Sequence, residues 1–189
     1  MPRRGAEQHD AQVDTDLLPR LIGARVILRP GTGSDAAELF RIRAEPSVRR
    51  WWRDPDPLAE IEASLRGEND DHLLVIEADG VVIGGIQYSE EPEPDYRHAG
   101  IDIFLSTAGQ GHGYGAEAVT LLARYLIQVR GHHRLVIDPA ADNERAIRCY
   151  TSVGFRPVGI MREYERDLDG GFHDGLLMDL LAADLADPE

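Results

Sequence analysis

Four glycines stand at alternate positions in Gly109-Gln-Gly-His-Gly-Tyr-Gly115, where a segment of helical periodicity begins. Without a Cβ, a glycine backbone can approach a ligand closely. The amides of a helix's first turn have no partners inside the helix, and the helix dipole favours negative charge there. A loop of this kind suits a diphosphate. Two carboxylates sit beside short apolar runs, in Gly100-Ile-Asp102 and in Ile137-Asp-Pro139. Either could take up a proton or hold a cation. Each also has a plainer reading, Asp102 as a solvated strand residue and Asp138 as a turn former before proline. Trp51 and Trp52 are the two tryptophans of the chain. They offer aromatic surface to a cation or a sugar, or ordinary packing. The lone cysteine, Cys149, has no histidine at a spacing that would activate it as an acyl-enzyme nucleophile.

A dinucleotide fingerprint is the obvious rival for the glycine loop, because Gly111-x-Gly113-x-x-Ala116 matches its variant form. The loop, however, is separated from the preceding strand by several residues. Three strands precede the one that leads into it, where a doubly wound sheet would begin with it, and the remaining chain is too short for the rest of such a sheet.

The elements that must position these residues follow from pattern. Ala24–Arg29 reads as a strand ended by Pro30-Gly31. Ser34-Asp35 are expected to cap a helix with Ala37, Leu39 and Phe40 on its apolar side. Leu58–Leu65 reads as a short helix. His72–Glu77 and Val81–Tyr88 flank Asp79-Gly80, a strong hairpin signal. Ala99–Leu105 alternates as a strand, with Ile101 and Ile103 on one face and Asp102 on the other. Ala116–Val129 is a helix whose apolar face holds Val119, Leu122, Ala123, Leu126 and Ile127, with Gly131 as its stop. Arg134–Ile137 is a strand. Asp142 or Asn143 caps a helix through Val153, and Val158–Tyr164 with Phe172–Leu180 closes the chain as a hairpin. The expected architecture is a single-domain α/β (α+β) fold with helices flanking one sheet. Residues 1–22 form a polar arm and residues 23–185 the domain.

Composition sets limits. The chain has 189 residues, a net charge of −14 and 42% hydrophobic residues, enough for a core. That charge opposes nucleic-acid binding and favours a cationic substrate, although acidity also confers solubility. Glu90, Glu91, Glu93, Asp95 and Asp102 cluster in one stretch and could form an acidic wall. No run is long and apolar enough for a membrane span, and no apolar segment follows the basic start as in a secretory signal. The expected location is cytoplasmic. One cysteine and scattered histidines give no metal-ligand spacing, so no metal is expected.

Gln110-Gly-His-Gly-Tyr-Gly115 resembles the Q/R-x-x-G-x-G/A signature of the GCN5-related N-acetyltransferase (GNAT) superfamily. Asn143-Glu-Arg-Ala-Ile-Arg-Cys-Tyr-Thr-Ser-Val-Gly-Phe155 is similar to that superfamily's N-x-x-A-x-x-x-Y-x-x-x-G-F segment. The resemblance runs over residues 24–182 and implies the mixed, mostly antiparallel GNAT sheet with acetyl-CoA as co-substrate. Arg50-Trp-Trp52, Gly100-Ile-Asp102 and Asp138-Pro139 resemble the aminoglycoside 6'-N-acetyltransferases. The terminal segment with Asp169–Asp174 looks more like acetyltransferases of ribosomal proteins and other small molecules.

The resemblance implies a role for each site residue. Gln110, Gly111, His112, Gly113, Tyr114 and Gly115 would hold the pyrophosphate. Phe104, Leu105 and Asn143 would meet the rest of acetyl-CoA, with a backbone amide near Leu105 on the thioester carbonyl. Asp102 would take up the amine proton, directly or through water, and Tyr150 would protonate the departing thiolate. Trp51 or Trp52, Tyr96, Asp102 and Asp138 would meet the acceptor. That acceptor is expected to be a small polycationic amine, an aminoglycoside with its 6' position favoured, acetylated by direct transfer in a ternary complex. The alternatives are another amine, such as a protein N-terminus, or a non-catalytic acetyl-CoA-binding module. Neither nucleic acid nor membrane is an expected partner, and the chain is expected to be a monomer or homodimer.

Overall fold

The computed structural model describes residues 18–167 and 169–185. Within it, eight strands form one sheet in the order β1-β2-β3-β4-β5-β6-β8-β7. They are β1 (Leu21–Ile22), β2 (Val26–Pro30), β3 (His72–Ala78), β4 (Val81–Glu91), β5 (His98–Leu105), β6 (Arg134–Ile137), β7 (Arg156–Arg166) and β8 (Phe172–Leu181). Every neighbouring pair is antiparallel except β5–β6, which is parallel. The helices are α1 (Ala36–Arg43), α2 (Pro46–Arg49), α3 (Pro57–Arg66), α4 (Tyr114–Arg124) and α5 (Glu144–Val153). This is the mixed, mostly antiparallel α/β domain expected.

At β3 both faces of the sheet are covered, which explains the unbroken apolar run of that strand. Leu74 and Ile76 pack on one side with α4, through Val119, Leu122 and Ala123. Leu73, Val75 and Phe104 pack on the other with α1 and α3, through Leu39, Ile42 and Ile61. The β3–β4 hairpin turns on Asp79 and Gly80, both at positive φ (51° and 75°), as a tight two-residue turn requires.

Several local expectations are corrected. Of the expected arm, residues 1–17 lie outside the described residues, and Leu21–Ile22 pairs with β2. On α1 the buried face is Ala36, Leu39, Ile42 and Arg43, whereas Phe40 and Ala37 are exposed. Asp35 stands at the N-cap position of α1, but its side chain makes no capping bond there. Its carboxylate receives both outer nitrogens of Arg29 at 2.8 and 2.9 Å and the Thr32 amide at 2.8 Å, which holds it well below the usual carboxylate range, at about 2. The helix expected at Ala116–Val129 begins two residues earlier and ends in a wider π turn over Tyr125–Val129. Asn143, rather than Asp142, caps α5, accepting the Ala146 amide at 3.2 Å.

Candidate active site

Strands β5 and β6 pair only at Ala99–Leu135 and Gly100–Val136 and then part. A cleft of about 1000 Å³ opens where they separate. The phase of the β4–β5 ladder decides what lines it. Ser106 donates its amide to the Ile83 carbonyl at 2.8 Å, and Gly84 sits opposite Leu105. Antiparallel alternation then commits the main-chain groups of Asp102 and Phe104 to β4 and turns those of Ile103 and Leu105 toward the opening. Two of the freed carbonyls find side-chain donors. The Trp52 indole donates to Ile103 at 3.3 Å, and the Gln110 amide donates to Leu105 at 2.8 Å.

The glycine loop forms one end of the cleft. Gly111 and Gly113 adopt positive φ (82° and 80°), a conformation that L side chains resist, and Gly113 caps α4 with no side-chain bond. Gly111, Gly113 and Gly115 line the cleft, as do Leu105, Gln110, Asn143, Cys149 and Tyr150. His112 and Tyr114 do not. Their rings stack on each other outside it, with centroids 5.7 Å apart. Gln110 lines the cleft with its side chain already engaged, because its carbonyl oxygen also receives Arg145 at 2.5 Å. Phe104 contributes a wall, its ring buried in the second core cluster. Burial pushes the Cys149 thiol up, the wrong direction for a nucleophile. Tyr150 is 7% exposed. Burial first, then the neighbouring Cys149 and the carboxylates Asp102 and Asp138, raise its hydroxyl well above the ordinary tyrosine value, so it carries its proton at any working pH.

The other end is acidic. Asp102 projects from β5 and Asp138 follows β6, on opposite banks of the split, and both line the cleft. Neither has an ion-pair partner among the described residues. The Asp102 side chain is exposed to the cleft, yet the surrounding cleft walls partly desolvate it. That desolvation, then the charges of Asp138 and Asp71, push its carboxyl up to about 7, against a bond from Gln87 that lowers it. Asp138 accepts the Tyr164 hydroxyl at 2.5 Å. Tyr164 comes from the closing hairpin, next to Glu163 at positive φ (50°), where the register against β8 shifts. No motif marks it.

The two tryptophans line this end and differ in role. Trp52 stands edge-on to Phe104 at 5.0 Å and lies 4.3 Å from the guanidinium of Arg43. Arg43 is buried and pairs with Asp54, and with Glu60 at 2.8 Å. Trp51 carries the exposed Arg50 over its ring, at 4.5 Å. The expected acidic wall is redistributed. Glu90 binds Arg130 at 2.7 Å and the buried His132 at 2.6 Å. Glu90 and Glu91 line a smaller adjoining pocket of about 390 Å³ that shares Asp102, Asp138 and Tyr164 with the cleft. Glu93, Asp95 and Tyr96 lie on the exposed β4–β5 connection. Tyr96 is 74% exposed and lines neither pocket. Asp71, Glu60 and Glu165 line the cleft instead.

A split parallel strand pair, a glycine loop opening a helix and a buried tyrosine across the gap define an acyl-transfer scaffold. The model of the acetyltransferase (GNAT) domain matches residues 25–156, and the chain belongs to that family of N-acetyltransferases. It is 29% identical over 153 residues to aminoglycoside N(6')-acetyltransferase type 1 of Klebsiella pneumoniae, covering 71% of this chain and 75% of the relative. It is 28% identical over 145 residues to the spermidine N(1)-acetyltransferase of Escherichia coli K12, covering 74% and 77%. Among solved structures, AAC(6')-Ib in complex with paromomycin and acetyl-CoA superposes with a TM-score of 0.69 at 26% identity, over 85% of this chain and 95% of that one.

Proposed function

We propose that the enzyme transfers the acetyl group of acetyl-CoA to a primary amine of a small polycation, an aminoglycoside amino sugar with the 6' position favoured. The observation that carries this reading is the pair of carboxylates without ion-pair partners among the described residues, Asp102 and Asp138, on facing banks of the cleft that the glycine loop also lines. An ammonium-rich acceptor supplies the missing charge, and the half-buried, cleft-lining ring of Trp51 supplies a face for it. Two relatives fit this chemistry, one named for an aminoglycoside acceptor and one for spermidine.

At the other end, the cleft-lining amides of the glycine loop and the dipole of α4 suit the diphosphate of the co-substrate. The Leu105 amide, turned into the opening, is the donor for the thioester carbonyl. The amine must be neutral to attack. Asp102, half ionised near neutral pH, takes its proton directly or through water. Asp138 holds another ammonium of the acceptor. Tyr150 gives its proton to the leaving thiolate. Asn143 uses its carbonyl oxygen on the α5 cap, so its amide nitrogen is the group left for the pantetheine arm. The transfer is direct, because Cys149 is held as a thiol.

A linear polyamine is the second reading. The closing hairpin brings Tyr164, Glu165 and Arg166 to the acceptor end, which favours a slim chain over several linked rings. Thiol release with purified enzyme, acetyl-CoA and a panel of kanamycin, spermidine and an alanyl peptide decides between them. Turnover highest on kanamycin supports the amino sugar. Turnover on spermidine alone selects the second reading, and turnover on the peptide alone overturns both.

A further inference from the structure

Arg25 lies just before β2, outside the cleft, and no feature of the sequence marks it as part of a site. Its side chain nevertheless touches the glycine loop and the helix behind it. Its guanidinium donates to the His112 carbonyl at 2.8 Å and, through Nε, to Glu117 at 2.9 Å. It also lies 5.5 Å from the centre of the Tyr114 ring. The space beside Gly113 is filled by the same group, since a Cβ there would stand 3.1 Å from Nη2. Glu117 in turn receives the Arg25 amide at 2.7 Å and the Val26 amide at 3.3 Å, which ties the first turn of α4 to the sheet.

Two consequences follow from elementary geometry and charge. In a trans peptide the carbonyl of His112 and the N–H of Gly113 point in opposite directions. Holding that carbonyl toward Arg25 turns the Gly113 N–H away from it. Gly113 lines the cleft, whereas Arg25 does not, so the amide is aimed at the ligand side. The second consequence concerns Glu117. A carboxylate in the first turn of α4 would repel an anion at that helix end, and an ion pair with Arg25 offsets it.

We infer that Arg25 is a positioning residue for acetyl-CoA: it fixes the His112–Gly113 peptide so that the Gly113 amide faces the diphosphate, and it neutralises Glu117. The inference rests on acetyl-CoA being the co-substrate. Arg25 never touches the reacting atoms, so its effect belongs in co-substrate affinity rather than in turnover.

The test is isothermal titration of CoA into the wild type, Arg25→Gln and Arg25→Lys, with thermal melting of each and steady-state kinetics alongside. Arg25 is exposed enough, at 53% of its side chain, for the lysine variant to fold. Lysine keeps the charge opposite Glu117, but its single nitrogen cannot span both Glu117 and the His112 carbonyl. The expected result is a dissociation constant at least tenfold weaker for Arg25→Gln and an intermediate loss for Arg25→Lys. The KM for acetyl-CoA should rise in parallel, with kcat at saturation and the acceptor KM unchanged. Wild-type CoA affinity in either folded variant, or a loss confined to kcat, overturns the inference. Absence of CoA binding by the wild type would instead overturn the assignment of the co-substrate.

Discussion

If Asp102 takes the amine proton, its ionisation must appear in the pH profile, and Asp138 must move it. The Asp102 carboxyl titrates at about 7, raised by desolvation and then by the charge of Asp138. Only the ionised form accepts a proton, so kcat/KM for the acceptor rises with pH through about 7. About one-tenth of the group is ionised one unit below that value and about nine-tenths one unit above, a roughly tenfold rise from pH 6 to 8. Asp138→Asn keeps the shape and removes the largest single charge acting on Asp102. A shift of about one unit toward acid corresponds to about 1.4 kcal/mol of relieved repulsion. At pH 6 the variant should then retain about half of its own plateau where the wild type retains about a tenth. The acceptor amine titrates too, but identically for both enzymes, so the comparison cancels it. The assay is thiol release at saturating acetyl-CoA from pH 5.5 to 8.5, with Asp102→Asn as the control that should flatten the enzyme's own limb and lower kcat by about a hundredfold or more. An unmoved midpoint in Asp138→Asn, or an intact limb in Asp102→Asn, would refute the assignment of the base.

Three further outcomes follow from the site. Tyr150→Phe should lower kcat by about tenfold or more while CoA affinity by calorimetry stays within twofold, because the ring is kept and only the proton is lost. Gly113→Asp should abolish CoA binding in a folded protein, since it adds a side chain at φ 80° and a negative charge beside the diphosphate. The tryptophans should separate in chemical denaturation and kinetics. Trp52→Ala removes the Phe104 and Arg43 contacts and the donor to Ile103, costing about 3 kcal/mol of stability. Trp51→Ala should cost under about 1 kcal/mol and act chiefly by raising the acceptor KM.

Much of this was legible in the sequence because local chemistry and tertiary role coincide. Alternate glycines before an amphipathic stretch read as a loop opening a helix, and they are one. Asp79-Gly80 reads as a hairpin because only that turn accommodates two residues at positive φ. Long-range partners carry no such local signal. Phe40 looks like a core residue by type, but the turn before α1 rotates it outward while Arg43 is taken inside, compensated by Asp54 and Glu60. Glu90 reads as free acidity, yet Arg130, forty residues away, pairs with it, and the His132 ring lies within hydrogen-bond distance. Tyr164 reaches Asp138 only through a bulge in an otherwise ordinary strand. Arg25 reaches the glycine loop across the fold, which no spacing in the sequence could announce. The split between β5 and β6 leaves no mark in residue type, because strand separation is a property of the whole sheet.

The most direct test of the central claim is to incubate the purified enzyme with acetyl-CoA and kanamycin and to analyse the product by mass spectrometry and two-dimensional NMR. The account predicts stoichiometric thiol release and a single acetyl group on one primary amine, the 6' amine of the amino sugar. Acetyl-CoA consumption that leaves kanamycin unmodified, in an enzyme that acetylates a peptide N-terminus under the same conditions, would contradict it.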